Sequence, residues 1–155
     1  MEKINSRLIN LNLKADTWEE ALMKGGGVLL EEGYIEDRYI KTLIEITKKE
    51  GPYYIITKGI AIPHVRPDEG VKKTGFSFIR LEKGVNFGSK ENDPVKYMIF
   101  LMSKTSEEHI DLINLIISII EDREFFRLVE ENSGNNQENI RIIENYINRI
   151  GECLS

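Results

Sequence analysis

The sequence predicts an α/β fold, a single-domain sandwich over residues 1–155 in which a mixed sheet of about five strands is flanked by helices. Two changes of hydrophobic period carry that expectation. Apolar residues recur at helical spacing between residues 16 and 49 and again from 105 to 150, while the stretch between them consists of short runs rich in Ile, Val, Phe and Tyr. Size is the third observation. At 155 residues and 41% hydrophobic side chains, the chain holds enough apolar material for one compact core and too little length for two comfortable domains.

Taken in order, Leu8 to Leu13 sets Leu8, Asn10 and Asn12 against Ile9, Leu11 and Leu13, the period of two expected of a half-buried strand. A helix follows, capped by Asp16 or Thr17, carrying Trp18, Ala21, Leu22, Val28 and Leu29, and stopping near Gly33. The run Gly25-Gly26-Gly27 lies inside it and weakens its middle, since each glycine costs about 1 kcal/mol relative to alanine. As a phosphate cradle the run lacks the lysine and hydroxyl of a P-loop. Glu36 to Lys49 is a second helix with Tyr39, Ile40, Leu43, Ile44 and Ile46 on its buried side, ended by Gly51-Pro52. Strands are expected at Tyr53–Ile56, Gly59–Ile62, Gly75–Leu81 and Val95–Met102. The helical period then returns with Ile110, Ile113, Ile116 and Ile120, continues through Phe125, Phe126 and Val129, and closes with Ile140, Ile143, Ile147 and Ile150 after a Ser-Gly-Asn-Asn loop.

The longest greasy segment, Ile110 to Ile120, is interrupted by Asp111, Asn114 and Ser118 and falls short of a membrane span. The first residues do not read as a signal peptide, and the single cysteine, Cys153, has no partner for a disulfide or a zinc ribbon, so a cytoplasmic protein is expected. Twenty-six acidic residues against 21 basic ones are interspersed, which argues against a nucleic-acid surface; Lys72-Lys73 is the strongest basic step.

Only two histidines occur. His64 stands where the strand Gly59–Ile62 gives way to a loop held between Pro63 and Pro67, a rigid perch suited to a group that must meet a partner's reactive atom. The plainer alternative is an ordinary loop histidine. His109 follows Thr105-Ser106-Glu107-Glu108, a capping box that places it in the first turn of a helix, where the dipole favours anions. It also shares a stripe with Leu112, Ile113, Ile116 and Ile120, so a satisfied core histidine is the competing reading. Lying 45 residues apart, the two cooperate only if the fold brings them together. Metal binding by the pair is disfavoured, because no spaced Cys, Asp or Glu set completes a zinc site. A serine hydrolase is disfavoured too, for want of a Gly-x-Ser-x-Gly elbow.

The segments GIAIPH at 59–64 and EEHIDLI at 107–113 resemble the phosphorylated histidine and the second active-site histidine of the mannitol- and fructose-type enzyme IIA domains of the phosphoenolpyruvate-dependent sugar phosphotransferase system. The resemblance runs from about Leu8 to Ile150. GPYYIITKGIAIPHVRPDEGVKKTGFSFIRL and the later ENDPVK look most like the ascorbate-type subgroup. The resemblance implies a cytoplasmic phosphotransferase of an ascorbate- or pentitol-like system. His64 would accept a phosphoryl group from the carrier HPr on Nε2, with the proton held on Nδ1 by a backbone carbonyl sought in the loop after Pro63. The group would then pass to a cysteine of enzyme IIB, which serves the membrane enzyme IIC. His109 would stabilise the phosphoryl group, and no cofactor or metal is called for. Where the mannitol-type pattern has an active-site arginine, an ungapped count reaches Lys48, a point charge in place of a planar fork, and Arg66 is the candidate to replace it. Val65, Val71 and Phe87 are expected to offer exposed apolar contacts to the partners. Two alternatives share these residues: a regulatory module whose phosphorylation state is read by a transcription factor or transporter, and an interaction protein with both histidines buried.

Overall fold

A computed structural model describes residues 3–154. After a 3₁₀ turn at Ser6–Leu8, the chain forms β1 (Ile9–Leu13), α1 (Trp18–Glu31), α2 (Asp37–Glu50), β2 (Ile60–Ala61), β3 (Gly75–Phe76), β4 (Phe78–Val85), β5 (Val95–Met98) and β6 (Leu101–Met102). Three helices complete it, α3 (Ser106–Ile120), α4 (Arg123–Glu131) and α5 (Gln137–Cys153). The mixed sheet expected from the sequence is present as four strands in the order β1-β4-β5-β2, beside a two-stranded antiparallel sheet of β3 and β6. β1 runs parallel to β4, β4 antiparallel to β5, and β5 parallel to β2.

Side-chain alternation along the strands sorts the core into two layers. Ile79, Leu81, Met98 and Phe100 pack with Ala21, Leu22 and Leu29 of α1 and Tyr39 and Leu43 of α2. Phe78, Ile99 and Leu101 face the other way, with Ile9 and Leu11, and meet Leu112 and Ile116 of α3, Phe125 of α4 and Ile143 and Ile147 of α5. Helices therefore cover both faces of the sheet, the arrangement that buries two apolar faces at once.

Local chemistry accounts for the element ends. Thr17 is the cap of α1, its hydroxyl accepting from Glu20 N–H at 3.2 Å, while the Glu20 carboxylate accepts from Asp16 N–H at 2.9 Å. The helix closes at Gly33, whose φ of 79° lets Tyr34 N–H reach back to the Leu29 carbonyl. The triple glycine does not interrupt α1. A Cβ on Gly25 would lie 2.8 Å from Phe100 Cε1, and one on Gly26 2.5 Å from Ile40 Cδ1, so two of the three glycines let α1 approach the sheet and α2 closely.

The expected strand at Tyr53–Ile56 is not formed. Gly51 and Pro52 turn the chain, with Tyr53 N–H on the Gly51 carbonyl at 3.0 Å and Ile55 N–H on the Pro52 carbonyl at 3.1 Å. Tyr54 and Ile55 are nonetheless buried, which is why the run has a strand-like composition. Val65 and Phe87, expected to be exposed, are also in the core, and Val71 is half-buried and bridges to Ile35. A valine and a phenylalanine beside turns are as useful for sealing the core under a loop as for meeting a partner.

Candidate active site

β2 and β5 are parallel neighbours, so the segments that leave their carboxyl ends emerge on the same side of the sheet. The backbone pairing continues past the formal strand ends, with Ile99 N–H on the Ala61 carbonyl at 2.9 Å and Leu101 N–H on the Pro63 carbonyl at 3.0 Å. His64 follows at once. On the neighbouring line, β6 ends at Met102, Ser103 follows, and Thr105 caps α3 by accepting from Glu108 N–H at 3.1 Å. Residues 45 apart in sequence thereby meet: the imidazole centroids of His64 and His109 lie 6.1 Å apart, with their planes inclined by 57°. Openings beyond the carboxyl ends of adjacent parallel strands are the usual place for a site in α/β sheets.

Tyr39 of α2 clamps this end of the sheet. Its hydroxyl is fully buried and donates to the Leu101 carbonyl at 2.8 Å, with the Pro63 carbonyl at 3.4 Å. Burial pushes the Tyr39 phenol far above its ordinary range, so it remains a donor.

His64 Nδ1 lies 2.6 Å from the Ile62 carbonyl, an oxygen that can only accept. The proton is thus on Nδ1 and the Nε2 lone pair is free. The acceptor precedes Pro63, whereas the sequence directed attention to the loop after it; the ring reaches back past Pro63 to the Ile62 carbonyl. Burial lowers the His64 pKa, His109 adds in the same direction, and the Ile62 carbonyl opposes both in part. His109 Nδ1 is 3.3 Å from the Oγ of buried Ser103. The residue is half-buried, on the stripe that leads into the core.

Both rings open on a cleft of about 730 Å³, whose lining includes Ile46, Glu50, Tyr53, Arg66, Glu69 and Ile110. Arg66 is exposed on its rim, with Nε 3.3 Å from Glu69 and 3.9 Å from Asp68. Lys48 is not part of the lining. Ile46 and Glu50 of α2 face the cleft, and the 3.6-residue period turns Lys48, midway between them, to the opposite side. Sequence reasoning missed Tyr53, Glu50 and Glu69. Tyr53 stands edge-on to His64 with centroids 5.6 Å apart, and its hydroxyl donates to the His64 carbonyl. Burial, aided by Glu69 and Glu50, pushes its phenol up to about 12. Glu69 had a legible signal: it stands three residues after Arg66, whose N–H it accepts at 3.1 Å to close the turn at Pro67–Glu69. Tyr53 and Glu50 had none, since their approach to His64 depends on the turn at Gly51-Pro52.

No group of three or more metal-binding side chains occurs among the described residues, and no described helix is long and apolar enough to cross a membrane.

Among curated proteins, the ascorbate-specific PTS system EIIA component of Escherichia coli K12 is 38% identical over 122 residues, covering 78% of this chain and 79% of its own. The solution structure of the mannitol-specific cryptic phosphotransferase enzyme IIA CmtB from E. coli superposes with a TM-score of 0.73 at 31% identity, over 92% of this chain and 94% of that one. Enzyme IIA of the E. coli mannitol system, solved in complex with phosphorylated enzyme IIB, superposes with a TM-score of 0.73 at 25% identity, over 92% and 96% of the two chains. The model of the phosphoenolpyruvate-dependent sugar phosphotransferase system EIIA 2 family matches residues 2–146, and the chain belongs to that family.

Proposed function

We propose that the chain is the cytoplasmic IIA component of an ascorbate-type phosphotransferase system, and that His64 Nε2 accepts a phosphoryl group from phospho-HPr and delivers it to a cysteine of enzyme IIB. The observation that carries this reading is the 2.6 Å bond from Nδ1 to the Ile62 carbonyl, which leaves a neutral ring with its Nε2 lone pair available. Attack by that lone pair forms the N–P bond as the bond to the donor histidine breaks; in the second transfer the IIB thiolate takes the phosphoryl group and His64 returns to neutral imidazole. Such transfers depend on positioning and on charge around the moving phosphoryl oxygens rather than on covalent help from the protein.

His109 is the hydrogen-bond donor for those oxygens. In the tautomer in which Nδ1 accepts from the Ser103 hydroxyl, the proton is on Nε2 and available to a phosphoryl oxygen. Ser106, the first residue of α3, also lines the cleft and brings the positive end of the helix dipole to it. Arg66 is the rim cation placed to follow the phosphoryl group once it leaves Glu69; Lys48, turned away, has no such approach. Exposed Tyr53 and Ile110, 42% and 59% accessible, give the two partner proteins an apolar landing beside the nucleophile.

The test is incubation with phosphoenolpyruvate, enzyme I and HPr, followed by intact mass and site mapping of wild type, His64→Ala and Arg66→Ala. An acid-labile phosphate on wild type that vanishes in His64→Ala, and forms roughly tenfold more slowly in Arg66→Ala, is expected. Absence of label on wild type would overturn the phosphocarrier reading, and an unchanged Arg66→Ala rate would remove that residue from the site.

A further inference from the structure

A second cleft, of about 500 Å³, opens on the far face of α3. Glu108, Asp111 and Leu112 line it, spaced at i, i+3 and i+4, whereas Ser106, His109 and Ile110 line the first, so the two clefts use opposite sides of the helix and share no lining residue. Four lysines converge here, Lys3, Lys72, Lys73 and Lys104, in a chain of net charge −5. Among the described residues none of the four is in an ion pair, although ten pairs form elsewhere.

Backbone bonds fix where three of these lysines leave the chain. The Tyr34 carbonyl accepts from both Lys72 N–H at 2.8 Å and Lys73 N–H at 3.1 Å, and Lys104 N–H donates to Thr74 Oγ1 at 3.1 Å. Lys73 Nζ rests 4.9 Å from the centroid of the buried Tyr34 ring, whose hydroxyl accepts from Asn5 Nδ2 at 3.4 Å. The floor is close-fitting: a Cβ on Gly75 would come within 2.8 Å of Tyr34 Cε2.

Four lysines without an ion pair among the described residues line one concavity, a local excess of positive charge that favours an anion there. The carboxylates of Glu108 and Asp111 on the opposite wall exclude a bare polyanion filling the cleft, yet they accept hydrogen bonds from hydroxyl groups. We propose that this cleft is a binding site for a small phosphorylated polyol or sugar, the phosphate held by Lys72, Lys73 and Lys104 and the hydroxyls by Glu108 and Asp111. Its volume suits a ligand of that size, and Tyr34 is too deeply buried to stack a nucleic-acid base.

The site is independent of phosphoryl transfer through His64, so its test needs no phosphodonor. Glucose 6-phosphate is titrated at millimolar concentration into the full chain, followed by amide chemical shifts, with inorganic phosphate and glucose as comparison ligands. Saturable shifts at Lys72 to Gly75, Lys104 and Glu108 are expected, larger than with phosphate or glucose alone. Affinity should fall by roughly tenfold in Lys72→Gln/Lys73→Gln and in Lys104→Gln, surface changes that leave the core intact. Shifts confined to the His64 cleft, equal shifts with inorganic phosphate, or unchanged affinity in both variants would overturn the site.

Discussion

The His64 imidazole is poised by burial and two neighbours, which act on its proton in different directions. Burial and His109 disfavour the imidazolium, while the Ile62 carbonyl holds the proton of the neutral ring on Nδ1. The nucleophilic form should therefore persist below the ordinary histidine value of 6.5, and single-turnover phosphorylation should keep its neutral-pH rate through that value. The same shift ties protonation to stability. An imidazole that is less basic folded than unfolded contributes its full share above pH 6.5 and loses it as pH falls through the folded pKa, so wild type should lose more stability than His64→Gln over that window. An NMR titration placing the His64 midpoint at or above 6.5 would refute both expectations. For His109, which is argued to steady the moving phosphoryl group, alanine should slow transfer roughly 100-fold while the label still maps to His64. A rate within twofold of wild type, read by rapid-quench kinetics, would assign His109 to packing alone.

At the scale of elements, the site depends on close approaches that particular residues permit. Gly25 faces Phe100, Ile79 and Met98, with 2.8 to 3.2 Å available for a Cβ, while Gly27 meets nothing within 4 Å. Gly25→Ala should destabilise the fold by about 1–3 kcal/mol through overpacking, whereas Gly27→Ala should stabilise it by up to about 1 kcal/mol through helix propensity. Urea denaturation of the two variants decides this; equal effects would mean that α1 does not press on the sheet at Gly25. Tyr39 is the clamp between α2 and the strand ends that carry both halves of the site. Tyr39→Phe keeps the ring and leaves the Leu101 carbonyl without its 2.8 Å donor, a loss of about 1–3 kcal/mol. Because Pro63 shares that clamp, phosphorylation should also slow, and amide exchange at Ile62 to His64 should rise even at a temperature where the variant is fully folded. Unchanged exchange there would confine Tyr39 to bulk stability.

For the molecule as a whole, the proposed transfer requires the chain to meet one partner and then another through the same opening. Ile110, 59% exposed at the cleft mouth, is the apolar group best placed for both. Ile110→Glu should leave the melting midpoint nearly unchanged and weaken association with HPr and with IIB by roughly tenfold each, measured by titration calorimetry. A loss toward one partner only would separate the two docking surfaces. The sequence alone determined whatever is decided within a turn or two of chain: Thr105 as a cap and the choice of Asp16 or Thr17 for another, Gly33 as a stop, the period-two strand at the start, and the two histidines with the motifs around them. It misread Tyr53–Ile56, because a turn that buries Tyr54 and Ile55 has the composition of a strand, and it misjudged Val65 and Phe87, because exposure is not a local property. Only the tertiary structure decided that His64 and His109 meet, that Ile62 rather than the following loop receives the Nδ1 proton, that Arg66 lines the cleft and Lys48 does not, and that four lysines from three separate stretches converge behind α3. Local signals arise from bonds a residue makes with its near neighbours in the chain, whereas the meeting of distant residues depends on strand order and register, set by how all the apolar faces are buried together.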